Sequence, residues 1–592
     1  MAVRHETARG FGTRRAPRRV RRVGIPRARP LWMMGVVVLV ATVFWGHLAY
    51  WQVGEHAFLS AEAQAQGATT VQLLARRGIV YDSQGTPLAL DTTVYNVALS
   101  PPQVLTRADE ETAAQGLASA LKIQPEQVMR LYQQKVKYAY VARRVSQQTA
   151  NRIRAMSLTG DGVTLEAQPE RTYLPGGESG DSLGAQFLGF VNYAGVGVAG
   201  LEGYYNQQLG GRNGWEKLYK DSSGNLIPAT TESRLNPEQG ANMTLTVDAH
   251  VQYQAEQAIQ AAVAANHAQQ GSVIILDSHT GGVLGWASYP SFNANNFATT
   301  PAQDLSDPIA GSVYEPGSVM KVVTLAGALN SGAITPQTTI DDPGYIVVDG
   351  QQLNDWNNAA WGTVSYTRVL EQSLNVGAVH AEQAEGSANF LRNLQAFGFG
   401  KPTGVGVAGE QNVAVPKLSG VQEATAAYGE GIDVTLVQMV AAINTIANGG
   451  VYVQPHLVQS IGGTTQSYGS HRAVSTQTAD EMKAMMRSVD QYGEGRLSRI
   501  PAFQYDMSGK TGTSQIPAGG KYSPTDFWSS FAGFVPSQNP QFTMLMMLKD
   551  PQNGSVAADE ADEATAPQWK VLAQQLIVDQ HITPENLPPQ PN

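Results

Sequence analysis

The stretch Tyr314–Leu329, YEPGSVMKVVTLAGAL, decides how this 592-residue chain is read. Pro316-Gly317 interrupts the backbone just ahead of Ser318, and a continuous apolar run follows, so a helix is expected to open at the serine. Ser318 then sits at a helix N-terminus, where unpaired N–H groups favour developing negative charge. Lys321 is about one turn on and on the same face, within reach of the hydroxyl. A lysine amine kept neutral by burial or neighbouring cations can take the serine proton and activate it for attack. Spacing alone is weak support, because Ser119–Lys122 repeats it in a polar helix where a solvated face is the plainer reading.

Outward from this helix the pattern alternates. Ala249–Ala265 reads as an amphipathic helix, and Gly271–Leu276 and Val283–Ala287 as strands joined through Gly281-Gly282, a hairpin. Helical periodicity returns around 318–330, 366–385 and 433–448, strands at Phe527–Phe534 and Phe542–Leu548, and a last helix at Gln568–Val578. Strands at both ends with helices between predict an α+β architecture with one sheet built from both termini. Residues 52–235 differ: short β-like segments (Val94–Leu99, Val163–Leu165), a helical stretch over 105–156, and a polar, Gly- and Pro-bearing linker over 220–240.

Two further motifs follow Ser318 in order. Ser373-Leu374-Asn375 lies 55 residues on, and Lys510-Thr511-Gly512 a further 137. S-x-N also occurs at Ser223, Ser291, Ser387 and Ser537, mostly ordinary loops, whereas K-T-G occurs once and lacks the spacing of a phosphate-binding loop. The set S-x-x-K, S-x-N, K-T-G is that of penicillin-recognising enzymes. Its surroundings, LEQSLNVGAV, AYGEGIDVTLVQMVAAINTIANGG, GKTGTSQ and the hairpin GSVIILDSHTGGVLGWASYPSFNANNF, also resemble penicillin-binding transpeptidases. Upstream, Arg76–Gly85 with Leu88-Ala89, Arg171–Gly176 with Ala185–Gly189, and Gly200–Gly203 through Gly214 resemble the pedestal motifs of the same family. Gln186 and Asn206 depart from it, standing where His and Asp are common. The chain thus resembles a class B penicillin-binding protein, a monofunctional peptidoglycan D,D-transpeptidase.

That resemblance implies a serine β-lactamase-like catalytic domain behind a β-rich, elongated pedestal. The expected division is an Arg-rich arm (1–30), a membrane anchor (31–51), a pedestal or dimerisation domain (52–235), the transpeptidase domain (236–580) and a loose tail (581–592). It implies Ser318 as nucleophile, Lys321 as base, and Ser373 and Lys510 as partners that keep Lys321 neutral and pass a proton to the leaving amine. Asn375 would meet the stem-peptide backbone. The N–H groups of Ser318 and Thr513 would form the oxyanion hole, and Thr511 and Thr513 would hold the terminal carboxylate beside Gly512. The reaction is attack on D-Ala–D-Ala stems, with β-lactams trapping the same serine. No cofactor or metal is implied; the ten His lack ligand spacing, and the acidic run Asp559–Glu563 reads as solvated. Trp356 and Trp361 either line the groove or pack.

Composition fits this picture. At 42% hydrophobic and 15% charged residues the chain can bury sizeable cores, and zero Cys excludes a disulfide scaffold, a cysteine nucleophile and thiolate-bound metal. The net charge of −9 is split: residues 1–30 carry ten Arg against Glu6, and the other 562 residues hold 30 basic and 48 acidic side chains. An acidic body disfavours nucleic acid as a partner. Leu31–Trp51 is uncharged and about 30 Å long as a helix, enough for a bilayer core. The preceding arginines predict a cytoplasmic N-terminus and an extracytoplasmic catalytic domain in a single-pass bacterial membrane protein. Ala61, Ala63 and Ala65 resemble a signal-peptidase site but lie far beyond the apolar run. The length and GRNGWEKLYKDSSGNLIP lean toward a division role, with elongation as the alternative and a β-lactam sensor or catalytically weak divisome scaffold as a second. Expected partners are peptidoglycan stems, the membrane, a membrane-embedded glycosyltransferase and divisome proteins.

Overall fold

The structure is a computed structural model, described over residues 28–60, 68–101, 105–134, 136–176, 180–220, 226–227, 231, 233–493, 505–552 and 561–584. Most of the Arg-rich arm, Ala61–Ala65, part of the acidic run and the last residues of the tail lie outside them. The chain divides into two compact units, residues 1–71 with 216–234, and residues 72–215 with 235–592.

In the first unit, the helix Ala28–Ala49 continues as a π-helical turn, Tyr50–Gly54. Among the described residues one helix, Leu31–Gly54, is long and apolar enough to cross a membrane, and none of it is buried against protein. Its polar interruption, His47, accepts a hydrogen bond from Trp51 Nε1 (3.1 Å). Part of the expected linker is ordered here: Leu226–Ile227 and Ser233–Leu235 both pair with Gly214–Lys220, which also borders Ala68–Leu73.

In the second unit a five-stranded antiparallel sheet runs in the order Val283–Tyr289, Gln270–Asp277, Phe542–Lys549, Lys521–Val535, Ser508–Ala518. The hairpin is as expected, with Gly271 opposite Tyr289, and strands from both termini share the sheet. Alternate side chains go to opposite faces. Val273, Ile275, Phe531, Met544 and Met546 pack with the helices Ala249–Ala265 and Ala566–Asp579, whose Trp569 Nε1 donates to Met544 O (2.9 Å). Ile274, Leu276, Ala532, Phe534 and Leu545 face a larger core holding the helices Met320–Asn330, Leu436–Ala447 and Thr476–Tyr492. Leu436–Ala447 is buried on all sides and starts at a capping box, Thr435 with Gln438, so it forms the middle of the domain.

The pedestal is built on the long strand Pro87–Leu99, paired along its length with Val163–Tyr173. The expected helical stretch 105–156 is interrupted: helices Arg107–Leu121, Pro125–Gln133 and Gln147–Ala155 flank a strand, Ala139–Val145, which pairs with Tyr95–Leu99. Val80–Tyr81 links this sheet to the catalytic part by pairing in parallel with Met243-Thr244, which borders Val458–Ile461.

Where the pedestal motifs meet, two arginines are buried. Arg77 donates from Nε (3.0 Å) and Nη2 (2.5 Å) to Glu202 Oε2, and Arg171 Nε donates to Glu202 Oε1 (2.6 Å). Asp91 completes the charge balance, accepting from Arg171 Nη1 (3.3 Å) and the Arg77 backbone N–H (2.7 Å). Asn206 Oδ1 accepts from Arg77 Nη1 (2.9 Å) and Gly197 N–H (2.8 Å). A neutral amide supplies that acceptor without adding a third negative charge to two cations. Gln186 is buried, its Nε2 donating to Pro290 O (3.3 Å).

Candidate active site

Three segments converge. Gly317–Val319 forms a 3-10 turn that runs into the helix Met320–Asn330, placing Ser318 at the helix opening. Lys321 is fully buried, and its Nζ donates to Ser318 Oγ (2.9 Å), Ser373 Oγ (3.2 Å), Asn375 Oδ1 (2.8 Å) and Ser373 O. The sequence-predicted nucleophile, base, second serine and asparagine are thus one hydrogen-bonded cluster.

The second segment departs from expectation. Residues 366–385 form two helices, Tyr366–Glu371 and Asn375–Glu385, and the break carries the S-x-N motif. Ser373 adopts φ +56°, a left-handed conformation unusual for serine, in the turn that presents its carbonyl and hydroxyl to Lys321. Asn375 is fixed from a distance: Asp355 Oδ1 accepts from the backbone N–H of Asn375 (2.6 Å) and Val376 (3.0 Å). The residue before that helix has no capping side chain of its own, so Asp355 acts as a remote N-cap. Burial and the neighbouring Asp355 push the carboxyl of Asp342 up to about 6. The Asn375 amide, expected to meet substrate, is engaged within the chain, Nδ2 donating to Asn354 O (2.9 Å). Trp356 is exposed and braces the turn, Nε1 donating to Gln372 O (3.1 Å), while Trp361 packs against the core.

The third segment is Ser508–Ala518, the edge strand of the sheet. Lys510 is fully buried and its Nζ donates to Thr511 Oγ1 (2.9 Å) and Thr511 O (3.1 Å). Gly512 has a packing reason: an added Cβ would lie 2.7 Å from Val319 Cγ2 and 2.9 Å from Pro316 O. Gly317, at φ +54°, answers it, since a Cβ there would lie 2.5 Å from Thr513 O. Ser514 Oγ donates to Glu315 O (2.6 Å). The serine turn and the strand therefore meet through two glycines, bringing the Thr513 backbone beside the opening of the Ser318 helix.

A fourth segment carries residues to which the sequence reading assigned no role. Gly429, at φ +91°, accepts from Gly317 N–H (3.0 Å), and Gly431 N–H donates to Glu315 Oε1 (3.0 Å), which also accepts from Tyr522 OH (3.0 Å). Between them Glu430 is held above the usual carboxylate range by burial, with the Lys321 charge pulling it back down. The signal was present in AYGEG, where two glycines flank an acid.

This arrangement can perform acyl transfer: a hydroxyl hydrogen-bonded to a buried amine, a backbone pocket beside it, and a strand at the edge of the sheet along which an extended peptide can align. The penicillin-binding protein transpeptidase domain matches residues 271–566, and the penicillin-binding protein dimerisation domain residues 72–245. Penicillin-binding protein PbpB of Mycolicibacterium smegmatis is 30% identical, over 95% of this chain and 91% of its own. Peptidoglycan D,D-transpeptidase FtsI of Escherichia coli is 28% identical, over 88% and 87%. The crystal structure of penicillin-binding protein 3 from Mycobacterium tuberculosis, complexed with aztreonam, aligns with TM-score 0.65 and 25% identity over 87% of this chain and 98% of that one. A transpeptidase domain joined to a dimerisation domain, with the serine–lysine cluster at its centre, places the chain in the class B penicillin-binding proteins.

Proposed function

We propose that this chain is a peptidoglycan D,D-transpeptidase in which Ser318 carries the acyl group. The contact of Lys321 Nζ with Ser318 Oγ at 2.9 Å supports this most directly. With Nζ neutral, the hydroxyl donates to it, and Oγ attacks the carbonyl carbon of the penultimate D-Ala as its proton passes to Lys321. The tetrahedral oxyanion takes hydrogen bonds from the N–H groups of Ser318 and Thr513. Collapse breaks the C–N bond, the proton leaves with D-Ala through Lys321 and Ser373, and an ester remains on Ser318. A stem amine from a neighbouring strand attacks the ester, gives its proton to Lys321, and the proton returns to Oγ as the cross-link forms. Lys510, with Thr511 and Thr513, holds the donor carboxylate; Asn375 and Gly512 border the donor backbone.

The arginine-rich arm ahead of the apolar helix supports a cytoplasmic N-terminus, with pedestal (52–235) and catalytic domain (236–580) outside. Similarity to FtsI supports a septal role beside a membrane-embedded glycosyltransferase and other division proteins. Fluorescent penicillin tests the chemistry: wild type should label and Ser318→Ala should not. A wild type that stays dark, or a labelled alanine variant, overturns the assignment. Depletion tests the role, with filaments expected and round, swollen cells pointing to elongation instead.

A further inference from the structure

A second concave site, away from Ser318, lies where the pedestal strands meet the turn Ala294–Thr299 of the catalytic domain. It is a cleft of about 890 Å³ whose lining runs from Leu74 through the long strands to Phe297, within the roughly 300–1,000 Å³ typical of ligand pockets. Most of its lining side chains can exchange hydrogen bonds; of the four arginines that line it, Arg77 and Arg171 are paired with Glu202 and Asp91, Arg144 is paired with Glu170, and Arg143 lies exposed. Tyr140 and Tyr193 are held in place yet accessible. Tyr193 is 70% exposed although it rests 5.3 Å from Phe297 and carries the Arg144 guanidinium 4.8 Å from its ring centre. Arg143 stacks on Tyr140 at 4.2 Å. Arg171, only 8% exposed, bonds Glu202 and Asp91 through Nε and Nη1, while Nη2 is buried without a hydrogen-bond partner.

We propose that this cleft binds a chain of N-acetylated amino sugars bearing carboxylates, the glycan on which the proposed cross-linking takes place; it rests on that reading for its biological sense. The exposed Tyr193 ring suits the C–H face of a sugar ring, the amides suit hydroxyl and N-acetyl groups, and Arg143 suits a carboxylate.

The test uses the full chain in detergent micelles, saturated with a β-lactam so that the Ser318 cleft is closed. The probes are a tetrasaccharide of alternating N-acetylglucosamine and N-acetylmuramic acid, and an acidic decapeptide, titrated by calorimetry. The tetrasaccharide should bind, and Tyr193→Ala and Arg143→Glu should each weaken it by about tenfold or more with penicillin labelling unchanged. Both residues are exposed, so neither variant threatens the fold. Absence of tetrasaccharide binding, binding indifferent to both variants, or binding of the decapeptide alone overturns the proposal. A chain that labels but does not bind loses only the cleft; one that binds but does not label loses only the transpeptidase reading.

Discussion

Two buried clusters of cations lie in the same compact unit and are solvated in opposite ways. In the pedestal, Arg77 and Arg171 are met by full negative charges, Glu202 and Asp91, at 2.5–3.3 Å. In the catalytic domain, Lys321 donates to uncharged oxygens of Ser318, Ser373 and Asn375, and the carboxyl near it, Glu430, is itself raised by burial and so inclined to hold a proton. A guanidinium does not give up its proton in a protein, so burying one requires a permanent counter-charge. An amine can deprotonate, and neutral acceptors hold it in place without locking it in the charged form. The pedestal cluster is thus suited to fixing structure, and the active-site cluster to moving a proton.

Replacing each cation system separately should break that comparison cleanly. Lys321→Met keeps the volume and removes the amine; acylation by a β-lactam should slow by about 10²–10⁴-fold, the usual range for losing a general base, with the melting temperature held. Rapid acylation in this variant would mean that another group takes the Ser318 proton. Glu202→Gln should do the reverse. Two buried guanidiniums lose a shared carboxylate, at about 3–5 kcal/mol, while the acylation rate per folded molecule stays near wild type. A stable Glu202→Gln chain would show that the pedestal pairing is dispensable.

The sequence was most legible where physics is local. The helix Ala249–Ala265 matches its expected bounds because Asp248 caps it, accepting from His250 and Val251 N–H, and the Ser318–Lys321 pair needs only one helical turn. It was less legible where partners are remote. Ala139–Val145 reads as a continuation of helix until Tyr95–Leu99, some forty residues upstream, offers it an edge. The break at Ser373 contains no Gly or Pro; it is shaped by Lys321, 52 residues earlier, and by Asp355. The helix Thr476–Tyr492 could have been read, since Met482, Met485, Met486 and Val489 recur at helical spacing behind a Ser475 cap.

Asp355 sharpens the comparison, because it gives the active-site cluster a carboxylate one step removed from the reacting groups. It holds the helix that starts at Asn375, so it is a positioning residue. Asp355→Ala should cost about 0.5–2 kcal/mol, the worth of a helix cap, and slow acylation several-fold as Asn375 loses its register. Asp355→Asn, which keeps an acceptor, should restore most of both. If alanine lowers stability without touching acylation, the cap is structural alone.

The smallest effect lies behind the cluster, on the helix that Asn375 opens. Glu382 is buried there, and its carboxyl is pushed up to about 7 by burial and then by the charge and hydrogen bond of Glu423; Glu385, one turn on, reaches about 7 by burial and by Glu382, with Arg392 opposing. A raised carboxyl favours folding fully below its unfolded value of 4.5, and that contribution fades as pH climbs through about 7. The melting temperature should therefore fall between pH 5 and pH 7. Glu382→Gln should flatten part of this slope by removing one acid and relieving Glu385, while Glu256 and Asp307, both also near 7 through burial, sustain the rest. A slope equal to wild type in Glu382→Gln would place the pH response elsewhere. A flattened slope would show that uncompensated charge is avoided behind the catalytic helix by holding protons, where the pedestal avoids it by pairing ions.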